Sequence, residues 1–170
     1  LLRAYDCVNS IDETWRGTLA PQENIVVGEK GQTTPFKWLS LTANAATSAF
    51  NTDTRAEKVP VNTSFDKVFD VKYSSLMRFA GDVNANIILP GVNANISYKI
   101  VQPDYTSLGT YYMSNNYHSL GITLSTTLFN RLSLTGTFSG QEDNLSNEQL
   151  YTTCGYVYAA NAAMRIGDNF

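Results

Sequence analysis

Few side chains in this chain have the chemistry to act on a substrate. The single histidine, His118, lies in Asn115-Asn116-Tyr117-His118-Ser119. A histidine works as a general base only when a nucleophile is within reach and a third group orients the ring. No spacing in the sequence sets up such a trio, so His118 reads as a plain loop histidine. Asp104 and Glu142-Asp143 are loop carboxylates without the oxygen-ligand spacing of a calcium loop. Cys7 and Cys154 have neither metal-site nor disulfide-framework spacing. Cys154 falls on the apolar parity of its segment and is expected not to bond to Cys7. The pattern predicts no enzyme, no cofactor and no metal. One opposed pair remains, Asp82 and Lys99. Such a pair either tunes ion passage at a constriction or fixes strand register.

That pair belongs to a stretch with its own logic, residues 79–101. Val83-Asn84-Ala85-Asn86-Ile87 returns as Val92-Asn93-Ala94-Asn95-Ile96, with Pro90-Gly91 between the copies. Pro-Gly is turn chemistry. Before the turn the odd positions are apolar (Phe79, Val83, Ala85, Ile87, Leu89). After it the even positions are apolar (Val92, Ala94, Ile96, Tyr98, Ile100). A period of two is the strand period. A two-residue loop pairs Leu89 with Val92, which places Val83 opposite Tyr98 on one wall. On the other wall it places Asn86 opposite Asn95, Asn84 opposite Ser97 and Asp82 opposite Lys99. A slip of one residue would mix the walls.

The polar wall is unusual. A solvated sheet face normally carries charge, whereas this one is amide and hydroxyl with a single opposed pair. Each arm, at about ten residues and about 3.3 Å rise, is roughly 33 Å long. Tilted by about 40°, it spans the roughly 25 Å apolar band of an outer-membrane barrel.

The same signal recurs along the chain. Leu39, Leu41, Ala43 and Ala45 alternate with Ser40, Thr42 and Asn44. From Phe65 the odd positions are again apolar, predicting one long strand from about Lys67 to Leu89. Leu120, Ile122, Leu124 and Leu128 alternate with Ser and Thr, as do Leu132, Leu134 and Phe138 after Phe129-Asn130-Arg131. Both arms use even positions, so a three-residue loop must pair Leu128 with Leu132, with Asn130 tolerating the positive φ it requires. Thr152 to Arg165 reads as a last strand. Leu2 to Val8 and Asn24 to Thr34 read as weaker ones, which gives about eight.

Connections alternate in length. Those at Pro35, Pro90, Asn130 and Asp168 are tight, while those near 9–23, 51–64, 102–118 and 142–151 are long. Short turns on one side and long loops on the other are the signature of a membrane barrel. Phe36, Trp38 and Phe129 lie by the short turns. Phe79, Tyr111, Tyr112, Tyr117 and Tyr151 lie towards the long loops, as in interfacial girdles.

Composition narrows the classes. Of the 170 residues 16% are charged, below the usual figure of about 25%. The net charge is −3 with no basic run, which removes the footprint of a nucleic-acid binder. No apolar stretch is long enough for a membrane helix.

PFKWLSLTANAATSAFNTDTR, VQPDYTSLGTYYMSNNYHSLGITLSTTLF and LSLTGTFSGQEDNLSNEQLYTT resemble strands and loops of large outer-membrane β-barrel proteins of Bacteroidota, over roughly residues 24–165. The resemblance implies an integral outer-membrane location. The expectation is an all-β fold, an antiparallel up-and-down transmembrane β-barrel in which residues 1–170 form one segment of a larger barrel. Its function would be passage or export across the outer membrane, and its partners membrane lipid and other outer-membrane or surface proteins. A second expectation is a barrel that only anchors a surface scaffold or receptor, with Tyr105, Tyr111, Tyr112, Tyr117 and His118 as surface-loop contacts. A third is a soluble β-sandwich binding glycans through its Tyr-rich loops.

Overall fold

The computed structural model describes residues 1–7, 12, 14, 15, 17–60, 68–110 and 112–166. Among these the chain is all strand and connection. The strands are β1 (Leu2–Tyr5), β2 (Glu23–Phe36), β3 (Leu39–Asn51), β4 (Ser75–Leu89), β5 (Val92–Val101), β6 (Tyr117–Leu128), β7 (Leu132–Asp143) and β8 (Cys154–Met164). They form one sheet in sequence order, every neighbour antiparallel. β1 and β8 are its two edges and do not pair with each other, so the sheet is not closed into a barrel.

The parity read from the hairpin holds. Asp82 pairs with Lys99, Asn86 with Asn95 and Leu89 with Val92. Gly91, at φ 78°, supplies the left-handed second position that a type II Pro-Gly turn needs. Across the next turn Leu128 pairs with Leu132 and Ile122 with Phe138, with Phe129 and Asn130 both at positive φ. Because partners share a face, the register carries one apolar face across the sheet. One of its rows reads Leu41, Ala85, Ile96, Ile122, Phe138 and Tyr158. The opposite face in the adjacent row reads Ser40, Asn86, Asn95, Thr123 and Thr137.

Most of the apolar face has nothing packed on it. Val83 is 49% exposed and Ile122 36%. The chain presents 12184 Å² of surface, against about 8,300 Å² for a compact monomer of this size. That excess is what a single layer leaves open.

Several boundaries differ from the sequence expectation; β7, for one, runs on through Glu142 and Asp143, which the sequence reading places in a loop. The strand expected from Lys67 begins instead at Ser75; Lys67 and Phe65 lie outside the described residues. Phe69 and Val71 keep their apolar parity but turn back instead of extending β4. Phe69, only 1% exposed, packs on Ile25 and Ala49 at the top of the apolar face, with Val71 against the cluster. The Asn51 amide donates to Asp70 O at 3.1 Å and Lys58 bridges to Asp70 at 2.7 Å, holding the fold-back in place. β2 runs through Pro35, and the tight turn falls at Lys37-Trp38 with a register shift between Thr33 and Phe36. A proline costs a ladder bond, and an irregularity is where a strand tolerates one. Finally, β6 begins at Tyr117, which takes Tyr117 and His118 out of the loop expected to hold them. The turn expected at Asp168 lies outside the described residues.

Neither cysteine is in a disulfide, and both are exposed.

Phe69 is the largest fully buried side chain among the described residues. Phe69→Ala is expected to cost about 3–5 kcal/mol, the range for emptying a buried aromatic site. Urea unfolding in detergent, followed by tryptophan fluorescence, measures it.

Candidate functional site

The polar face is built by the same alternation that makes the apolar one. On β2, β3, β4 and β5 the register aligns Lys30, Asn44, Asp82 and Lys99 in one row, continued by Ser119 and Gln141 on β6 and β7. Asp82 and Lys99 are therefore facing partners, as the sequence implied, but each is bound elsewhere. The Asp82 carboxylate accepts from Asn44 Nδ2 at 2.7 Å. Lys99 Nζ stands over the Tyr117 ring, 5.6 Å from its centroid. Below this row the wall is mostly amide, hydroxyl and small side chains, with Ile88 and Val157 the apolar exceptions. Asn95 Nδ2 donates to Asn84 Oδ1 at 2.7 Å, along the wall and not away from it.

Two charges on this face were not legible. Lys30 sits in Gly28-Glu29-Lys30-Gly31-Gln32, where charges on both parities hide the alternation. Arg78 lies above the row, in a stretch where only the apolar parity drew notice.

The connection from β5 to β6 does not project from the sheet. It folds inward across the upper part of the polar face, from β5 over β4, β3 and β2 to β1. Arg78 Nε donates to Pro103 O at 3.0 Å, and Arg78 Nη2 is 3.5 Å from Asp104 Oδ2. Tyr105 is 3% exposed and packs on Ala80 and Val101, with Ala46 and Tyr117 alongside. Its burial pushes the phenol above the usual tyrosine range. Asn24 does the most to hold the segment. Its Nδ2 donates to Ser48 Oγ at 2.8 Å and to Thr106 O at 3.3 Å, while Leu108 N–H donates to its Oδ1 at 3.2 Å. Ser48 Oγ also donates to Thr106 O. At the far end Gly109 closes on Leu2, whose side-chain tip would have to shift to admit a Cβ at 109. Between this strap and the wall lies an open cavity of about 410 Å³, lined by Lys30, Asn44, Asp82, Lys99, Tyr105 and Met113 among others.

The tyrosines expected at the loop surface are thus divided. Tyr105 is committed to the fold. Tyr112 is 85% exposed and free to make contacts. Tyr117 lies on the polar face under Lys99. Tyr111 lies outside the described residues. His118 stands on the apolar face, its Nε2 3.8 Å from Glu142 Oε2 and its ring 6.1 Å from that of Tyr98. Its register partners are Ile100 and Glu142, and Glu142 pairs in turn with Cys154. Glu29 falls in the same row through Ala45 and Gly81. Among the described residues no group of three or more His, Cys, Asp or Glu side chains is placed to hold a metal ion.

Asn24 is wholly buried, so removing its amide leaves strap groups without partners. Asn24→Ala is expected to cost about 1–3 kcal/mol, the scale for orphaning buried polar groups. Denaturant titration measures the cost, and faster proteolysis within 104–114 would show that the strap is what loosened.

Comparison with protein-family models, with curated proteins and with solved structures finds no match to this chain.

Proposed function

We propose that this sheet is part of the wall of an outer-membrane β-barrel, that its apolar face meets lipid and that its polar face lines an aqueous path for solutes. One observation carries the reading. The lowest charged side chains on the apolar face, Glu29, His118 and Glu142, share one register row. Below that row the face is free of charge and largely uncovered. In β6 the charge-free run is Leu120–Leu128. Its nine residues, at about 3.3 Å rise, give about 30 Å. At a tilt of about 40° that is about 23 Å of height, against an outer-membrane apolar band of about 25 Å. The height matches what lipid requires, and a soluble sheet has no reason to end its apolar face at that level.

The opposite wall supports passage more than anchoring. Below the row of Lys30, Asp82 and Lys99 it offers hydrogen-bond donors and acceptors without charge, a surface that water wets. The connections support it too. Both 52–74 and 102–116, so far as they are described, pack down onto the sheet by the bonds given above, whereas a receptor platform would hold its loops out. In hydrocarbon no edge backbone group goes unpaired, so the reading requires further strands between β8 and β1, whichever chain supplies them.

The test is substitution at two neighbours on β6. Ile122→Phe is expected to be nearly neutral, because acyl chains have no fixed packing. A close-packed protein core would lose about 1–3 kcal/mol to the larger ring. Ile122→Arg is expected to cost about 2–4 kcal/mol, the figure for Arg at the bilayer midplane, and Thr123→Arg much less. Folding titrations into liposomes measure all three. A heavy penalty at Ile122→Phe sinks the lipid-facing wall.

A further inference from the structure

Resting on the polar face as the wall of an aqueous path, we infer that residues 102–110 and 112–116 form a fixed constriction in that path. We infer further that Lys30, Asp82 and Lys99 beneath it select for small anionic solutes.

The position of the strap follows from its anchors. Asn24, Ser48 and Arg78 all lie on the polar face, on β2, β3 and β4, and all three bind strap atoms. A layer packed on a sheet face stands about 10 Å off it, so the strap takes that width from any path along the wall. Its grip is polar at both ends and apolar in the middle, where Tyr105 is buried on Ala80 and Val101. A segment held at so many points is a permanent narrowing.

The sign of the selectivity follows from the row under the strap. Two ammonium groups, Lys30 and Lys99, stand against one carboxylate, Asp82. Asp82 is further occupied by Asn44. Lys99 is held along the wall by the Tyr117 ring. Arg78 and Asp104 are 3.5 Å apart and offset one another. Because the wall below the row is uncharged, no other side chain there sets the sign. A narrow, low-dielectric passage focuses such a field and raises the local concentration of the opposite ion.

Planar-bilayer recordings of the protein in a potassium chloride gradient test this. The unmodified protein should show a reversal potential on the chloride side, with permeability falling from chloride to acetate to gluconate. Asp82→Asn should move the reversal potential further that way, and Lys30→Gln with Lys99→Glu should move it to the cation side. Deletion of 104–114 should raise the conductance. The milder pair Asn24→Ala with Arg78→Ala, which frees the strap at full chain length, should do so in part. Conductance and selectivity that ignore all these changes overturn the constriction but leave the passage reading standing. A folded, membrane-inserted protein that never conducts overturns both. Strap position has its own check, independent of conduction. Ser48→Cys with Thr106→Cys, in a Cys7→Ser and Cys154→Ser background, should be joined by a short bis-thiol reagent in the membrane. Failure to cross-link removes the strap from the wall and the inference with it.

Discussion

The architecture depends on the two-residue period of the pleat staying in register through every strand pair. Each antiparallel ladder copies the parity of one strand onto the next. The odd face of β3 and β4 becomes the even face of β5 across the Pro90-Gly91 turn, and the three-residue loop at Asn130 keeps parity even into β7. One residue more or less in either turn would put leucines among the asparagines. Turn length is therefore as much a determinant of the two walls as side-chain type. Elsewhere Gly91 and Asn130 would be ordinary turn residues; here their positive φ is what lets each turn take the length that parity demands.

Given those walls, the long connections have two surfaces to choose between, and their chemistry divides them. The segment holding Phe69 and Val71 is apolar and returns to the apolar face at Ile25 and Ala49. The segment holding Pro103 to Asn116 is rich in hydroxyl and amide groups and goes to the polar face. Its large apolar commitment, Tyr105, finds an apolar patch there, Ala80 and Val101. Both choices bury side chains that the single layer alone has no interior to receive.

Much of this was legible from the sequence. The hairpin around Pro90-Gly91 and the one around Asn130 were read to the residue, because strict alternation and a turn of known length together fix register. β2 was read poorly. Glu29 and Lys30 put charge on both parities and Pro35 stands inside the strand, so the period is blurred where the sheet most needs it. Around Phe69 the alternation persists past a fold-back, and such a pattern looks the same as a strand that continues. The strap was invisible for a different reason. Its place is set by Asn24, Ser48 and Arg78, none of them near it in sequence and none marked by local pattern. The Tyr-rich run before His118 suggests a loop, while its own even parity already belongs to β6.

The strap also has a consequence for the order in which the protein assembles. Every strand pairs with its neighbour in the chain, so the sheet can grow hairpin by hairpin, each step closing no more than one connection. The bond from Leu108 to Asn24 spans 84 residues, and it needs β2, β3, β4 and β5 side by side before Asn24, Ser48 and Arg78 form a seat. Closing so long a loop early has a large entropic cost and gains nothing. The strap is then the last part of this half of the sheet to dock, and its docking marks the moment when four separately made strands have become one surface.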